Sequence, residues 1–232
     1  MKRFLLPILL LASIAHAGKG LRNATNSTPC TDFMSTVYNG YVASRLNLVP
    51  QNQEAGNFSS LALRTSDPNL EATINAFPSL RNTPAAKMAL KQKGELFVIS
   101  DYFPVNDMEL GDPVRRRRAN CLVSALAWFG LTENLDLYHE DFSKILEDNF
   151  DLLAPGKAQT PIPPETMVTF CGKGSGQWMA IHAAVYLGDN ILWNKYGIEA
   201  PAYTPLEKVM RQYGVTGRPD DKMIMRFFKL KR

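Results

Sequence analysis

The run Asn120-Cys121-Leu122-Val123-Ser124-Ala125-Leu126-Ala127-Trp128-Phe129-Gly130 limits the architecture more than any other part of the 232-residue chain. It predicts a helix that is apolar on nearly every face, closed by Gly130, a residue suited to a left-handed C-terminal cap. A helix of that pattern must be covered on all sides, so it belongs in the middle of a domain. Its one reactive side chain, Cys121, falls in the first turn, where unpaired N–H groups and the helix dipole favour negative charge. A thiol there is expected to have a lowered pKa and to serve as a nucleophile. The plainer alternative is a small apolar core residue.

The chain opens Met1-Lys2-Arg3, runs through a short apolar core from Phe4 to Ile14, and reaches Ala15-His16-Ala17 before Gly18. A basic start, an apolar stretch too short to span a bilayer and small residues at A-x-A read as a secretory signal peptide over residues 1–17. A secreted or periplasmic protein without a membrane span is expected. Removing that segment lowers the formal charge from +4 to +2 (26 basic residues less Lys2 and Arg3, against 22 acidic). A balance so near neutral argues against a general nucleic-acid binder. A 45% share of hydrophobic residues is enough for one well-formed core, and a monomer is expected.

Three cysteines in an exported chain leave an odd thiol. Either none is paired or one thiol stays free: a Cys30–Cys171 bridge leaves Cys121 free, whereas a Cys121–Cys171 disulfide removes the nucleophile. The cysteines and the two histidines of the mature chain show no close ligand spacing, so no metal is expected.

Residues 18–94 read as a polar linker followed by a mostly helical extension. Asn23, Asn26 and Asn57 stand in N-x-S/T sequons. Helical spacing covers Asp32 to Leu48, and two shorter helices are expected at 68–74 and 84–93. Glu95 to Ser100 is a predicted strand. Arg115-Arg116-Arg117-Arg118 then leads into the central helix; it is a solvated charge run, a rim for substrate carboxylates, or a processing site. A second amphipathic helix is expected over Leu135 to Leu153, with His139 on its solvent face.

Beyond it the sheet is legible. Strands are expected at 166–171, 179–187, 191–194 and 222–229, with a glycine-rich loop at 172–176. A helix should start at Thr204-Pro205-Leu206-Glu207, from a Thr cap, Pro at the first position and Glu at the third, and end at Gly214. Alternation places Ile181, Ala183, Val185 and Leu187 on one face of the second strand, and His182 with Ala180, Ala184 and Tyr186 on the other. A strand histidine paired with a helix-start cysteine is a candidate general base.

On these residues the chain resembles the NlpC-type branch of the papain-like cysteine peptidases and amidases. The likeness is carried by Asn120-Cys121-Leu122-Val123 at a helix start, by Pro164-Glu165-Thr166-Met167-Val168-Thr169-Phe170, and by His182-Ala183-Ala184-Val185-Tyr186-Leu187-Gly188-Asp189-Asn190. The cysteine phrase departs from the family's usual Asp-Cys-Ser-Gly. The resemblance covers roughly residues 95–232 and implies an α+β papain-like domain, a Cys-bearing helix packed on an antiparallel sheet. It implies a thiol hydrolase of peptide or amide bonds, most often in cell-wall peptidoglycan, with Cys121 as nucleophile, His182 as base and a third polar residue, here Asn194, orienting the imidazole. Arg118, Trp178 and Tyr186 are the expected substrate contacts. No cofactor is implied. The alternatives are an amidase or acyltransferase on another amide, or a catalytically silent binding protein of the same fold.

Asn194 also follows from register. A three-residue loop at Gly188-Asp189-Asn190 pairs Leu187 with Ile191 and makes Asn194 the diagonal neighbour of His182 on one face. A two-residue turn at Asp189-Asn190 shifts every pairing by one and sends Asn194 to the core side. Burying an unpartnered amide is costly, which favours the three-residue loop.

Overall fold

The computed structural model describes residues 41–91, 94–104, 120–131, 137–153, 160–174, 177–197, 199–216 and 222–231. The expected signal peptide, Cys30, the sequons at Asn23 and Asn26 and the run Arg115 to Arg118 lie outside these residues. The chain enters through strands β1 (Tyr41–Ala43), β2 (Leu48–Glu54) and β3 (Asn57–Arg64), helices α1 (Leu70–Ala76) and α2 (Pro84–Ala89), and strand β4 (Leu96–Val98). The central helix α3 (Cys121–Trp128) follows, then α4 (His139–Asn149) and the short strands β5 (Phe150–Leu152) and β6 (Thr160–Ile162). The long hairpin β7 (Thr166–Gly174) and β8 (Gln177–Gly188), strands β9 (Ile191–Asn194) and β10 (Ala202–Pro205), helix α5 (Leu206–Tyr213) and strand β11 (Met223–Leu230) complete it.

Among the described residues nine strands form one antiparallel sheet in the order β2-β3-β10-β9-β8-β7-β11-β5, with β4 also on β3. A separate parallel pair joins β1 to β6. The fold is therefore α+β, as expected, with the sheet mostly antiparallel and helices packed on it.

Among its described residues, the extension before residue 95 has more strand than helix. Its β2–β3 hairpin continues the main sheet, because β3 pairs with β10 and with β4. The expected helix over 32–48 gives way, in its described part, to β1 and the start of β2. Pairing with β6 takes Tyr41–Ala43, and Asn47 at φ +59 breaks any helical path before Leu48. Pro50 is tolerated because β2 is the edge of the sheet. The extension is also tied to the β8–β9 turn. The Asp189 carboxylate accepts the backbone N–H groups of Leu46 (2.8 Å) and Leu48 (2.6 Å), and the Asp189 N–H donates to Ser44 O (2.7 Å).

Two large clusters lie on the two faces of the sheet. The larger takes Leu122, Val123, Ala125, Leu126 and Trp128 of α3 with Val185, Leu187 and Trp193. Trp128 and Trp193 meet at 5.4 Å between ring centroids. The second gathers Val168, Phe170, Ala184, Tyr186, Leu192 and Phe227 under Leu206 and Val209 of α5. Helix α5 starts one residue later than its Thr-Pro signal. Thr204 and Pro205 are held in β10 opposite Leu192 and Ile191, and the Leu206 N–H donates to Asn190 O (2.7 Å) instead of to a side-chain cap. The sequon residue Asn57 accepts Lys208 Nζ at 2.8 Å and the Thr204 hydroxyl at 3.2 Å, so its amide is engaged in the fold.

No helix among the described residues is long and apolar enough to cross a membrane.

Candidate active site

Helix α3 opens on Asn120, whose Oδ1 accepts the Val123 N–H at 2.9 Å while its Nδ2 donates to Leu137 O at 3.2 Å. The helix closes as a Schellman motif. Gly130, at φ +67, donates to Ala127 O (3.0 Å), and Leu131 donates to Leu126 O (3.2 Å). Gly130 closes the helix as its sequence predicts, Asn120 caps its start, and Cys121 is held at the first helical position.

His182 comes from β8, Asn194 from the end of β9. The turn between them settles their register in a way neither simple alternative describes. Asp189 and Asn190 form a two-residue turn with both φ positive (+46 and +59), and Gly188 pairs with Ile191. Leu187 is then bulged out of the ladder, so that Tyr186 meets Leu192 and Val185 meets Trp193. The bulge restores the pairing expected of a longer loop and leaves Asn194 on the His182 face. The imidazole Nε2–H donates to Asn194 Oδ1 at 2.6 Å, with both residues almost fully buried. An acceptor at Nε2 fixes the tautomer, leaving Nδ1 as the unprotonated nitrogen. Burial holds the imidazole pKa down at about 4, against the Asn194 hydrogen bond, which raises it. His182 is therefore a neutral base at neutral pH.

A second bulge lies beside the histidine. Phe170 pairs with His182 and Cys171 with Ala180, so Ile181 is the extra residue. This corrects the expected alternation. Ala180 joins the α3 face with Ala183, Val185 and Leu187, and the Ile181 side chain is 41% exposed. The Ile181 carbonyl meets the Cys121 thiol, Sγ to O 3.9 Å. The backbone N–H groups of Ala183, Leu122 and Cys121 lie near enough to favour a negative charge on the sulfur. The thiol thus lies against the peptide groups on both sides of His182. No hydrogen bond joins it to the imidazole.

The expected lowered thiol pKa is not found. Desolvation pushes Cys121 up, outweighing the opposing backbone N–H groups and the positive charge of Lys195. The resting pair is thiol and neutral imidazole. Lys195, itself buried, donates from Nζ to Gly197 O. Cys121 is a free cysteine and Cys171 is disulfide-bonded, so the Cys121–Cys171 alternative is excluded.

Aromatic rings enclose the imidazole. Tyr213 stacks on it at 4.7 Å and 22°, Tyr196 at 5.6 Å and 12°, and Phe170 lies at 5.6 Å and 50°. The Tyr196 hydroxyl is pushed up to about 12 by burial, with Asn194 drawing it back. That hydroxyl and Asn194 Nδ2 are buried without a hydrogen bond of good geometry among the described residues.

No family model matches this sequence, and none of the curated proteins or solved structures does either. The site therefore stands on its own geometry. Of the residues expected from sequence, the structure brings Cys121, His182 and Asn194 together. Arg118 lies outside the described residues, and Trp178 is placed only by its backbone, opposite Lys173. Tyr186 is fully buried in the second cluster, edge-on to Phe227 at 6.5 Å, and is a core residue rather than a substrate contact. His139 is not on a free solvent face: it is half-buried, and its Nδ1 meets Ala180 O at 2.8 Å. Tyr213 and Lys195 were missed. The first had a signal, since it continues the apolar face of α5 at Leu206, Val209 and Met210; the second had none. Among the described residues no three His, Cys, Asp or Glu side chains group so as to hold a metal ion.

Proposed function

We propose that this chain is an exported thiol hydrolase of peptide or amide bonds, acting on cell-wall peptidoglycan. One observation carries the chemistry: a free cysteine at a helix N-terminus lies against the peptide groups flanking a neutral histidine whose other ring nitrogen is held by a buried asparagine. The substrate class rests on the resemblance to NlpC-type enzymes and on the signal-like N-terminus.

In this reading the amide carbonyl carbon is attacked by Cys121 Sγ as the thiol proton passes to His182 Nδ1. The tetrahedral oxyanion is met by backbone N–H groups at the start of α3. The imidazolium, steadied through Nε2 by Asn194, returns its proton to the leaving nitrogen as the C–N bond breaks. Water, deprotonated by the same Nδ1, then hydrolyses the thioester and frees the thiol. The raised thiol pKa favours proton transfer on substrate binding over a standing thiolate–imidazolium pair.

A second reading, a silent binding protein of the same fold, is favoured by one feature: no hydrogen bond joins the thiol to the imidazole. Digestion of purified peptidoglycan with mass analysis of the fragments separates the two. New peptide termini that vanish in Cys121→Ala support the hydrolase; unchanged peptidoglycan, with Cys121 intact and reduced, removes it.

A further inference from the structure

Helix α5 presents Leu206, Val209, Met210 and Tyr213 on one face, at the i, i+3, i+4 and i+7 positions. The first two are buried in the second cluster, and Met210 and Tyr213 pack against it. Because the helix ends at Gly214 (φ +66), Tyr213 occupies its last turn. Its ring lies on the His182 imidazole at 4.7 Å. Phe170, directly across the β7–β8 ladder from His182, backs Tyr213 at 5.3 Å and 31°. Tyr196 is nearly parallel to the imidazole at 5.6 Å. Both tyrosine rings are thus close to parallel with the imidazole, within 22° for Tyr213 and 12° for Tyr196.

We propose that Tyr213 is a positioning residue, whose ring, with Tyr196, clamps His182 in the one plane that keeps Nε2 on Asn194 and leaves Nδ1 to the Cys121 thiol. The role deepens the thiol-hydrolase reading and rests on it for its purpose, though the clamp itself is a matter of geometry. A single hydrogen bond fixes one atom of an imidazole and leaves the ring free to tilt about that atom. Aromatic rings stacked near-parallel to the imidazole oppose that tilt, because tilting would part the packed ring planes, and they displace water from what they cover. The clamp also gives a function to the placement of α5, which otherwise only covers the sheet. The phenol stays neutral, since burial raises its pKa and any negative charge formed on Cys121 or Tyr196 would raise it further.

The test needs no natural substrate. The rate of Cys121 alkylation by iodoacetamide is measured across pH in the oxidised full-length protein, in Tyr213→Leu, Tyr213→Phe and His182→Ala. The His182 carbon-bound ring proton is titrated by NMR in the first three. Tyr213→Leu should slow alkylation near neutral pH about tenfold, towards the His182→Ala rate, because a misplaced base loses most of its advantage. In the same variant the His182 titration should move up from about 4 towards 6.5. Tyr213→Phe, which keeps the ring, should stay within about twofold of wild type with an unmoved titration. Should the leucine variant not fold, Tyr213→Met gives the same comparison. The proposal is overturned if the ring-deleting variant alkylates and titrates like wild type, if phenylalanine is as damaging as leucine, or if His182→Ala reacts as fast as wild type. Were peptidoglycan left uncut while these differences held, the substrate reading would fail and the clamp would stand.

Discussion

Acidification should unfold this protein through His182, by an amount that the site's burial sets. The folded pKa of about 4 lies below the unfolded 6.5, so the native state resists the proton that the unfolded chain accepts. The stabilising contribution is complete above 6.5 and is lost as pH falls towards 4. At about 1.4 kcal/mol per pH unit, close to 2 kcal/mol is gone by about pH 5 and about 3 kcal/mol by about pH 4. Glu165 works in the opposite sense. Burial raises its pKa despite the Ser79 hydrogen bonds, so it contributes stability as pH falls. Subtraction isolates the histidine. Urea unfolding of wild type and His182→Gln, followed by the fluorescence of the buried Trp128 and Trp193, should give curves that converge with acid. With a denaturant slope of about 2 kcal/mol per molar, the wild-type midpoint should lose about 1 M more than the variant's between about pH 7 and about pH 5. Parallel pH dependence in the two proteins would refute the neutral, desolvated imidazole and with it the base assigned to the site.

Asn194→Ala should lower kcat on the proposed amide substrate by roughly 10–100-fold, less than Cys121→Ala or His182→Ala, because it removes orientation and leaves the reacting groups. Steady-state kinetics checks the order of the three. Gly188→Ala should cost roughly 2–4 kcal/mol by thermal melting. A Cβ there would run into the Leu46 side chain, and the residue sits at φ +101. Glu165→Ala should cost roughly 1–3 kcal/mol, since it leaves the Ser79 N–H, now 2.9 Å from the carboxylate, without its partner. Glu165→Gly, which removes the same carboxylate but relaxes φ +57, should cost less than Glu165→Ala in the same melt.

What the sequence determined by itself is what short-range physics can decide. An all-apolar helix between Asn120 and Gly130, with a side-chain cap at one end and a left-handed glycine at the other, is specified by its own residues. So are the strand holding His182 and the strand Ile191–Asn194, because β-branched and aromatic runs between turn residues permit little else. Tertiary structure alone decided the rest. The hairpin at residues 48–64 was hidden because its strands are completed by β10 and β4, partners far away in sequence. The register of Asn194 depended on a bulge at Leu187, and one inserted residue reverses a strand's facing without leaving a mark in composition. The thiol pKa reversed sign because helix position is local but desolvation is not. The N–H groups around Cys121 were foreseeable, whereas the mass of protein that strips water from the sulfur was assembled from β8 and its neighbours only by folding.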